Sequence, residues 1–260
     1  MGKTRSNMMI WSITAMIFMV ACNDSDDPSP SEDPRCLLIS SHWIQPNGDL
    51  RDYSFTYDQN QITSLESTFT FVGYEPNTGT TSFVYDDEGK IVEMNGPQGK
   101  DVFTYSGEVI IKQERFNGVT LRDKFEFEYD NGNLVLIQDY TDNGTTLVND
   151  RFQKLEYTKE SGKDPAVIRT FNASGNLEGT AIYTYSNHDA ATAALPAALK
   201  KYWVLGGLPV YRTASNVEFT NGESITYVYE FNDKGYPLKR TETYTQYQIT
   251  NIITYGYQCE

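Results

Sequence analysis

From residue 36 to residue 260, hydrophobic and polar positions alternate in short runs, with a period of two rather than the period of about 3.6 that marks a helix. Phe125, Phe127 and Tyr129 share one side of such a run while Lys124, Glu126 and Glu128 occupy the other. Tyr227, Tyr229 and Phe231 oppose Thr226, Val228 and Glu230 in the same way. Side chains two apart face the same side of a strand, so the pattern predicts an all-β domain with one aromatic and one polar face. A single stretch departs from it. His188 to Tyr202 is rich in alanine and leucine, with Asp189 placed to cap a helix and Pro196 to interrupt or restart it. A short helix is therefore expected near 189–201, plugging one opening of a curved sheet.

The runs end in a recurring turn. Tyr57-Asp58-Gln59-Asn60-Gln61-Ile62, Tyr85-Asp86-Asp87-Glu88-Gly89-Lys90-Ile91 and Tyr129-Asp130-Asn131-Gly132-Asn133-Leu134 share one plan. Phe171-Asn172-Ala173-Ser174-Gly175-Asn176-Leu177 and Phe231-Asn232-Asp233-Lys234-Gly235-Tyr236-Pro237-Leu238 follow it too. An Asp or Asn after the aromatic residue accepts hydrogen bonds from backbone N–H groups ahead of it, and Gly supplies the positive φ that ends the turn. Asn60 takes the glycine's place in the first copy. Each copy is read as a hairpin, and the series as an antiparallel meander curved into an open roll or a closed barrel. The copies resemble the tyrosine/aspartate (YD) repeats of large bacterial surface and toxin-encapsulating proteins, whose units are also antiparallel hairpins. A membrane barrel needs an outward face that is apolar through about 25 Å. Lys124, Glu126, Glu128 and Glu230 contradict that, so a soluble domain is expected.

The N-terminus has another character. Lys3 and Arg5 precede an apolar run of 13 residues, Met8 to Val20, broken by Ser12 and Thr14 alone. A membrane-spanning helix needs about 20 residues, so residues 1–21 read as a cleaved export signal. The run ends in Met19-Val20-Ala21-Cys22, which resembles the lipobox of bacterial lipoproteins, with Met19 where leucine is usual. The resemblance implies cleavage between Ala21 and Cys22 and lipidation of the Cys22 thiol. Residues 22–35 follow with five acids, three prolines and no apolar side chain between Asn23 and Pro34, the composition of a solvated tether. Within it, Ser25-Asp26-Asp27 resembles the acidic export signal that places Bacteroidetes lipoproteins on the outside of the outer membrane.

Charge narrows the choice of partner. The chain carries −14, and loss of residues 1–21 removes two cations and no acid, which makes the mature protein −16. Such a surface repels nucleic acid, and no basic stripe reverses that. Residues 36–260 suffice for one β domain, with no second linker to divide them. Cys36 and Cys259 flank it, and an even pair in an exported protein is read as a disulfide. Two unpaired buried thiols are the alternative. Together with the lipobox and the acidic tether, the repeats make the whole chain resemble a Bacteroidetes lipoprotein family of unknown function with a porin-like fold. The glycine-rich turn Trp203–Pro209 fits that picture. The resemblance implies an outer-membrane location and no particular activity.

No nucleophile elbow, zincin motif, phosphate loop or dinucleotide fingerprint occurs. His42 reads as a packed or surface residue beside Trp43, and His188 as a polar helix end. The acids at Asp86-Asp87-Glu88-Gly89 and at Asp139 with Asp142-Asn143-Gly144 are too few and wrongly spaced for calcium, so turn chemistry accounts for them. No cofactor or metal is expected. Nineteen tyrosines would serve either as a platform for stacking sugar rings or, more simply, as the packed face of the strands. The reading is a lipid-anchored cell-surface protein with a non-catalytic role, binding a glycan or protein partner. A carbohydrate-active enzyme with an unidentified carboxylate pair and a structural subunit of an outer-membrane complex are the alternatives.

Overall fold

The alternation resolves into sixteen strands among the residues that the computed structural model describes, 36–59, 61–158, 164–189 and 212–259. They are β1 (Cys36–Ile44), β2 (Leu50–Asp58), β3 (Gln61–Thr70), β4 (Asn77–Tyr85), β5 (Ile91–Gly96), β6 (Gly99–Ser106), β7 (Val109–Asn117) and β8 (Thr120–Asp130). The second half comprises β9 (Asn133–Asp142), β10 (Leu147–Glu156), β11 (Val167–Asn172), β12 (Leu177–Asp189), β13 (Arg212–Phe219), β14 (Ser224–Phe231), β15 (Pro237–Tyr244) and β16 (Ile249–Cys259). The signal sequence, Cys22 and the tether, Asn60, residues 190–201 of the expected helix and the turn at 203–209 lie outside the described residues. His188 and Asp189, expected at a helix start, instead end strand β12.

Each strand pairs antiparallel with its neighbour in sequence, and β16 returns to β1, so the sheet is a closed barrel and not an open roll. The β1–β16 seam runs in register from Cys36 opposite Cys259 to Ile44 opposite Ile252, and the two cysteines form a disulfide. Closure gives the barrel two distinct ends. Odd strands run away from the end that holds Cys36 and Cys259, here called proximal, and even strands return to it. The turns following β2, β4, β6, β8 and β14 are proximal; those following the odd strands are distal.

Tyrosine organises the proximal end. The hydroxyl of Tyr57 donates to the carbonyl of Leu38 at 2.7 Å, Tyr85 to Ile62 at 2.8 Å, Tyr105 to Ile91 at 2.8 Å and Tyr129 to Ile110 at 2.9 Å. The series continues with Tyr157 to Leu134, Tyr185 to Pro165, Tyr229 to Ala214 and Tyr257 to Pro237. Every odd–even strand pair is thus tied by one hydroxyl across its own hairpin, each bond worth about 1 kcal/mol net. Register shifts beside Tyr57, Tyr85, Tyr105 and Tyr129 place a β-bulge there, which bends the strand locally. Leu38, Ile62, Ile91, Ile110 and Leu134 are buried in one cluster with Phe55, Phe103, Phe127 and Leu155, so the core is concentrated toward this end.

Turn chemistry follows the sequence closely. Asp86 Oδ1 accepts from the N–H groups of Glu88 and Lys90, and Asn232 Oδ1 from those of Lys234 and Tyr236. Gly89, Gly132 and Gly235 hold φ values of 78°, 81° and 82°, a region open to glycine at no steric cost. One of the five turns, however, is at the other end. Phe171-Asn172 to Leu177 joins β11 to β12 and is distal; Phe171 stacks on Phe152 with ring centroids 4.8 Å apart, and Leu177 is 53% exposed where Ile62 and Leu134 are buried. The same Asn/Gly turn closes a hairpin at either end, because it reads only its own backbone. In the Phe231 copy the buried residue is Pro237, while Leu238 is exposed.

Candidate functional site

The inner face is not uniformly apolar. Arg51 precedes Tyr53, Phe55 and Tyr57 at spacings of two, so the period that turns the aromatics inward turns Arg51 inward as well. Arg240 and Glu242 keep step with Tyr244 on β15 in the same manner. The strand registers align six inward residues, one per strand, as a row across the barrel wall: Tyr229, Arg240, Ile253, Trp43, Arg51 and Phe69. The Arg51 guanidinium lies 4.9 Å from the Trp43 ring centre and 5.8 Å from that of Phe69, within cation–π range.

Arg240 is 2% exposed, and its Nη2 contacts Glu242 Oε1 at 2.5 Å. Asn251 donates to the other Glu242 oxygen at 3.3 Å. Glu242 is thereby occupied on both oxygens, whereas Nε and Nη1 of Arg240 are buried without a hydrogen-bond partner among the described residues. Trp43 Nε1 and the Tyr53 hydroxyl share that condition. Burial pushes the Tyr53 hydroxyl above its ordinary pKa against the pull of nearby Arg51, and pushes Tyr244 up to about 12 with Glu242 adding to the shift.

Above this row, the distal hairpin tips are apolar. Among the described residues, nine of the fourteen exposed large apolar side chains are at the distal end, including Val119 at 97%, Tyr74 at 76% and Tyr247 at 54%. The tips nearest the row are those of β15–β16 (Tyr247, Ile249), β1–β2 (Ile44) and β3–β4 (Phe71, Val72, Tyr74), consecutive around the barrel. The β1–β2 and β3–β4 tips are bound together, since Val72 N–H donates to Asp49 Oδ1 at 3.0 Å. The proximal turns carry acids instead: Asp58, Asp86, Asp87, Glu88, Glu108, Asp130 and Asp233.

A second polar sector faces inward from β6 to β10. Arg115 bridges Asp101 at 3.1 Å and Asp123 at 3.7 Å, and Arg151 bridges Asp139 at 3.4 Å and Asp150 at 3.1 Å. Burial raises Asp139 to about pKa 6 against the pull of Arg151, with Asp150 and Asp123 adding to the rise.

The sequence-nominated residues distribute as follows. His42 pairs through Nδ1 with Asp52 across β1–β2 on the polar outer face, a surface role. Asp86, Asp142 and Asn143 hold their own turns through backbone N–H groups. Most strand tyrosines are committed to the inner face and its ladder, which removes them as a surface platform; among the described residues the exposed aromatics are the distal Phe71, Tyr74 and Tyr247. No motif in the sequence marks Arg51 or Arg240. The available signal was a charge in phase with the aromatic positions of a strand, a costly placement unless partnered.

A sixteen-strand antiparallel meander closed on itself is an architecture shared with solved proteins. The fold is porin-like. The chain superposes on a crystal structure of a porin-like protein from Bacteroides uniformis ATCC 8492 with a TM-score of 0.61 at 16% identity, covering 88% of this chain and 100% of that one. A porin-like protein from Bacteroides vulgatus ATCC 8482 matches with a TM-score of 0.57 at 10% identity, covering 85% and 98%. No family model and no curated protein matches the sequence.

Proposed function

We propose that this porin-like chain is a lipid-anchored outer-membrane protein displayed on the cell surface, whose water-exposed barrel is a non-catalytic binding module that takes a glycan at its distal mouth. The observation that carries this is the asymmetry of the barrel. The chain enters at the proximal end, beside the acidic turns, and the apolar tips with their aromatic rings are at the opposite end, turned away from an anchor at Cys22. A patch of exposed apolar side chains is a recurrent mark of a binding surface, and rings of Phe and Tyr offer faces on which sugars stack. The outer face supports a barrel standing in water rather than in lipid: Ser64, Glu66 and Thr68 on β3, and Lys124, Glu126 and Glu128 on β8, occupy positions where a membrane barrel is apolar. The lipobox, the Ser25-Asp26-Asp27 segment and the YD-type hairpins support placement in the Bacteroidetes lipoprotein family.

Replacing Cys22 by Ala is expected to move the protein from the membrane to the soluble fraction and to abolish palmitate incorporation. Retention of label on the variant would remove the anchor. For the binding role, the full chain in detergent is applied to a glycan array beside a Phe71→Ser, Tyr74→Ala, Tyr247→Ala triple variant. A stacked aromatic contributes about 0.5–1.5 kcal/mol, so the variant is expected to lose roughly tenfold or more in signal with an unchanged melting temperature. Equal signal from both proteins, or none from either, would overturn the reading. The second reading, a carbohydrate-active enzyme, draws support from the raised Asp139 beside Asp123. Release of reducing ends from a bound glycan, abolished by Asp139→Asn, is the result that would favour it.

A further inference from the structure

We infer that the ligand of the distal mouth is anionic, a glycan whose rings carry carboxylate groups, with Arg51 and Arg240 as the residues that receive it. This rests on the binding reading above and names its ligand class. Four buried donor atoms without partners among the described residues, Trp43 Nε1, Tyr53 Oη, and Arg240 Nε and Nη1, sit on the inner faces of β1, β2 and β15. Leaving a buried donor unsatisfied costs about 1–3 kcal/mol, and a carboxylate, which accepts only, answers several at once. The orphaned acceptor Asn216 Oδ1 is elsewhere, on β13, facing out with Thr184 and Thr226.

Local charge points the same way. Around the row stand two guanidinium groups and the carboxylate of Glu242, both of whose oxygens are already engaged, with Glu223 near Tyr244 at the mouth. Arg51 makes no ion pair with a carboxylate among the described residues; its face lies on Trp43 and Phe69, one donor stands toward the Tyr53 hydroxyl, and its other donors are open to a ligand. In a chain of net charge −14, a wall that sets two guanidinium groups beneath aromatic tips favours an anion that also presents ring surface. The two arginines are three strand intervals apart in the wall, roughly 14 Å at about 4.8 Å each. A ligand meeting both therefore carries charge on more than one ring.

The probes are an oligogalacturonate, its methyl ester, the corresponding neutral oligosaccharide and an oligoglutamate peptide, titrated calorimetrically into the full chain in detergent at low and high salt. The acid is expected to bind at least tenfold more tightly than its ester, with affinity falling as salt rises. Arg51→Met, at a half-exposed site, is expected to weaken the acid about tenfold or more and leave the neutral sugar unaffected. Arg240→Met alone would strand Glu242, so Arg240→Met with Glu242→Met replaces the buried pair by apolar volume, a change that often preserves folding. It too is expected to abolish the preference for the acid. Equal binding of acid and ester, wild-type binding by both arginine variants, or tighter binding of the peptide than of the acid would overturn the inference. If the neutral sugar binds and the triple aromatic variant does not, without any preference for the acid, the binding role stands and the anionic ligand falls. If no sugar binds, both fall together.

Discussion

Raising the pH above about 10 is expected to unfold the barrel cooperatively within roughly one pH unit, with tyrosine ionisation and loss of strand signal occurring together. Burial raises the hydroxyl pKa of six inner-face tyrosines, Tyr183, Tyr185, Tyr227, Tyr229, Tyr255 and Tyr257, and takes Tyr183 to about 12. The unfolded chain releases these protons near pH 10 while the folded barrel keeps them. Between the two values the folded state binds more protons, so stability falls as pH rises; below about pH 10 the contribution is fully present. Each tyrosine removes up to about 1.4 kcal/mol per pH unit, and six together about 8, comparable with the 5–15 kcal/mol that holds a typical domain. Tyrosinate absorbance and circular dichroism followed on one sample decide the matter. Gradual ionisation centred near pH 10 with the strand signal intact would contradict it.

Opening the Cys36–Cys259 disulfide, by reduction or by a double serine variant, is expected to be the largest stability loss available from two side chains. The bond joins residues 223 apart, and closing so long a loop stabilises by about 5 kcal/mol in the chain-entropy model. For a domain of this size that is a fall of roughly 10–20 °C in melting temperature. The seam between β1 and β16 should fail first, because it is the one strand pair whose hairpin connection is replaced by the disulfide. Hydrogen exchange is therefore expected to rise in Cys36–Ile44 and Ile249–Cys259 before it rises in β7–β8. Unchanged melting and uniform exchange would show that backbone pairing alone holds the seam.

Local chemistry explains how much was legible beforehand. The period of two in Phe125-Glu126-Phe127-Glu128-Tyr129 depends only on each residue's neighbours, and those side chains take the faces that it assigns. The Asp/Asn and Gly turns are equally local, since Asp86 and Gly89 satisfy their own backbone. The same locality limits them: the turn at Asn172 has the same chemistry as that at Asn232 and closes the opposite end. Two cysteines flanking the strands made their pairing readable, and once paired they require that the ends meet. The tyrosine ladder left a weaker trace, because Tyr105 recurs five residues before Ile110 as Tyr129 does before Leu134, yet lacks the following Asp. What only the tertiary structure decided is the site. Trp43 and Arg51 are nearly two hundred residues from Arg240 and Glu242, and no local rule relates them. Closure of β16 on β1 brings Trp43, Arg51 and Arg240 into one row with Glu242 beside it, and the barrel interior, by removing water, leaves Arg240 with buried donors in need of an acceptor.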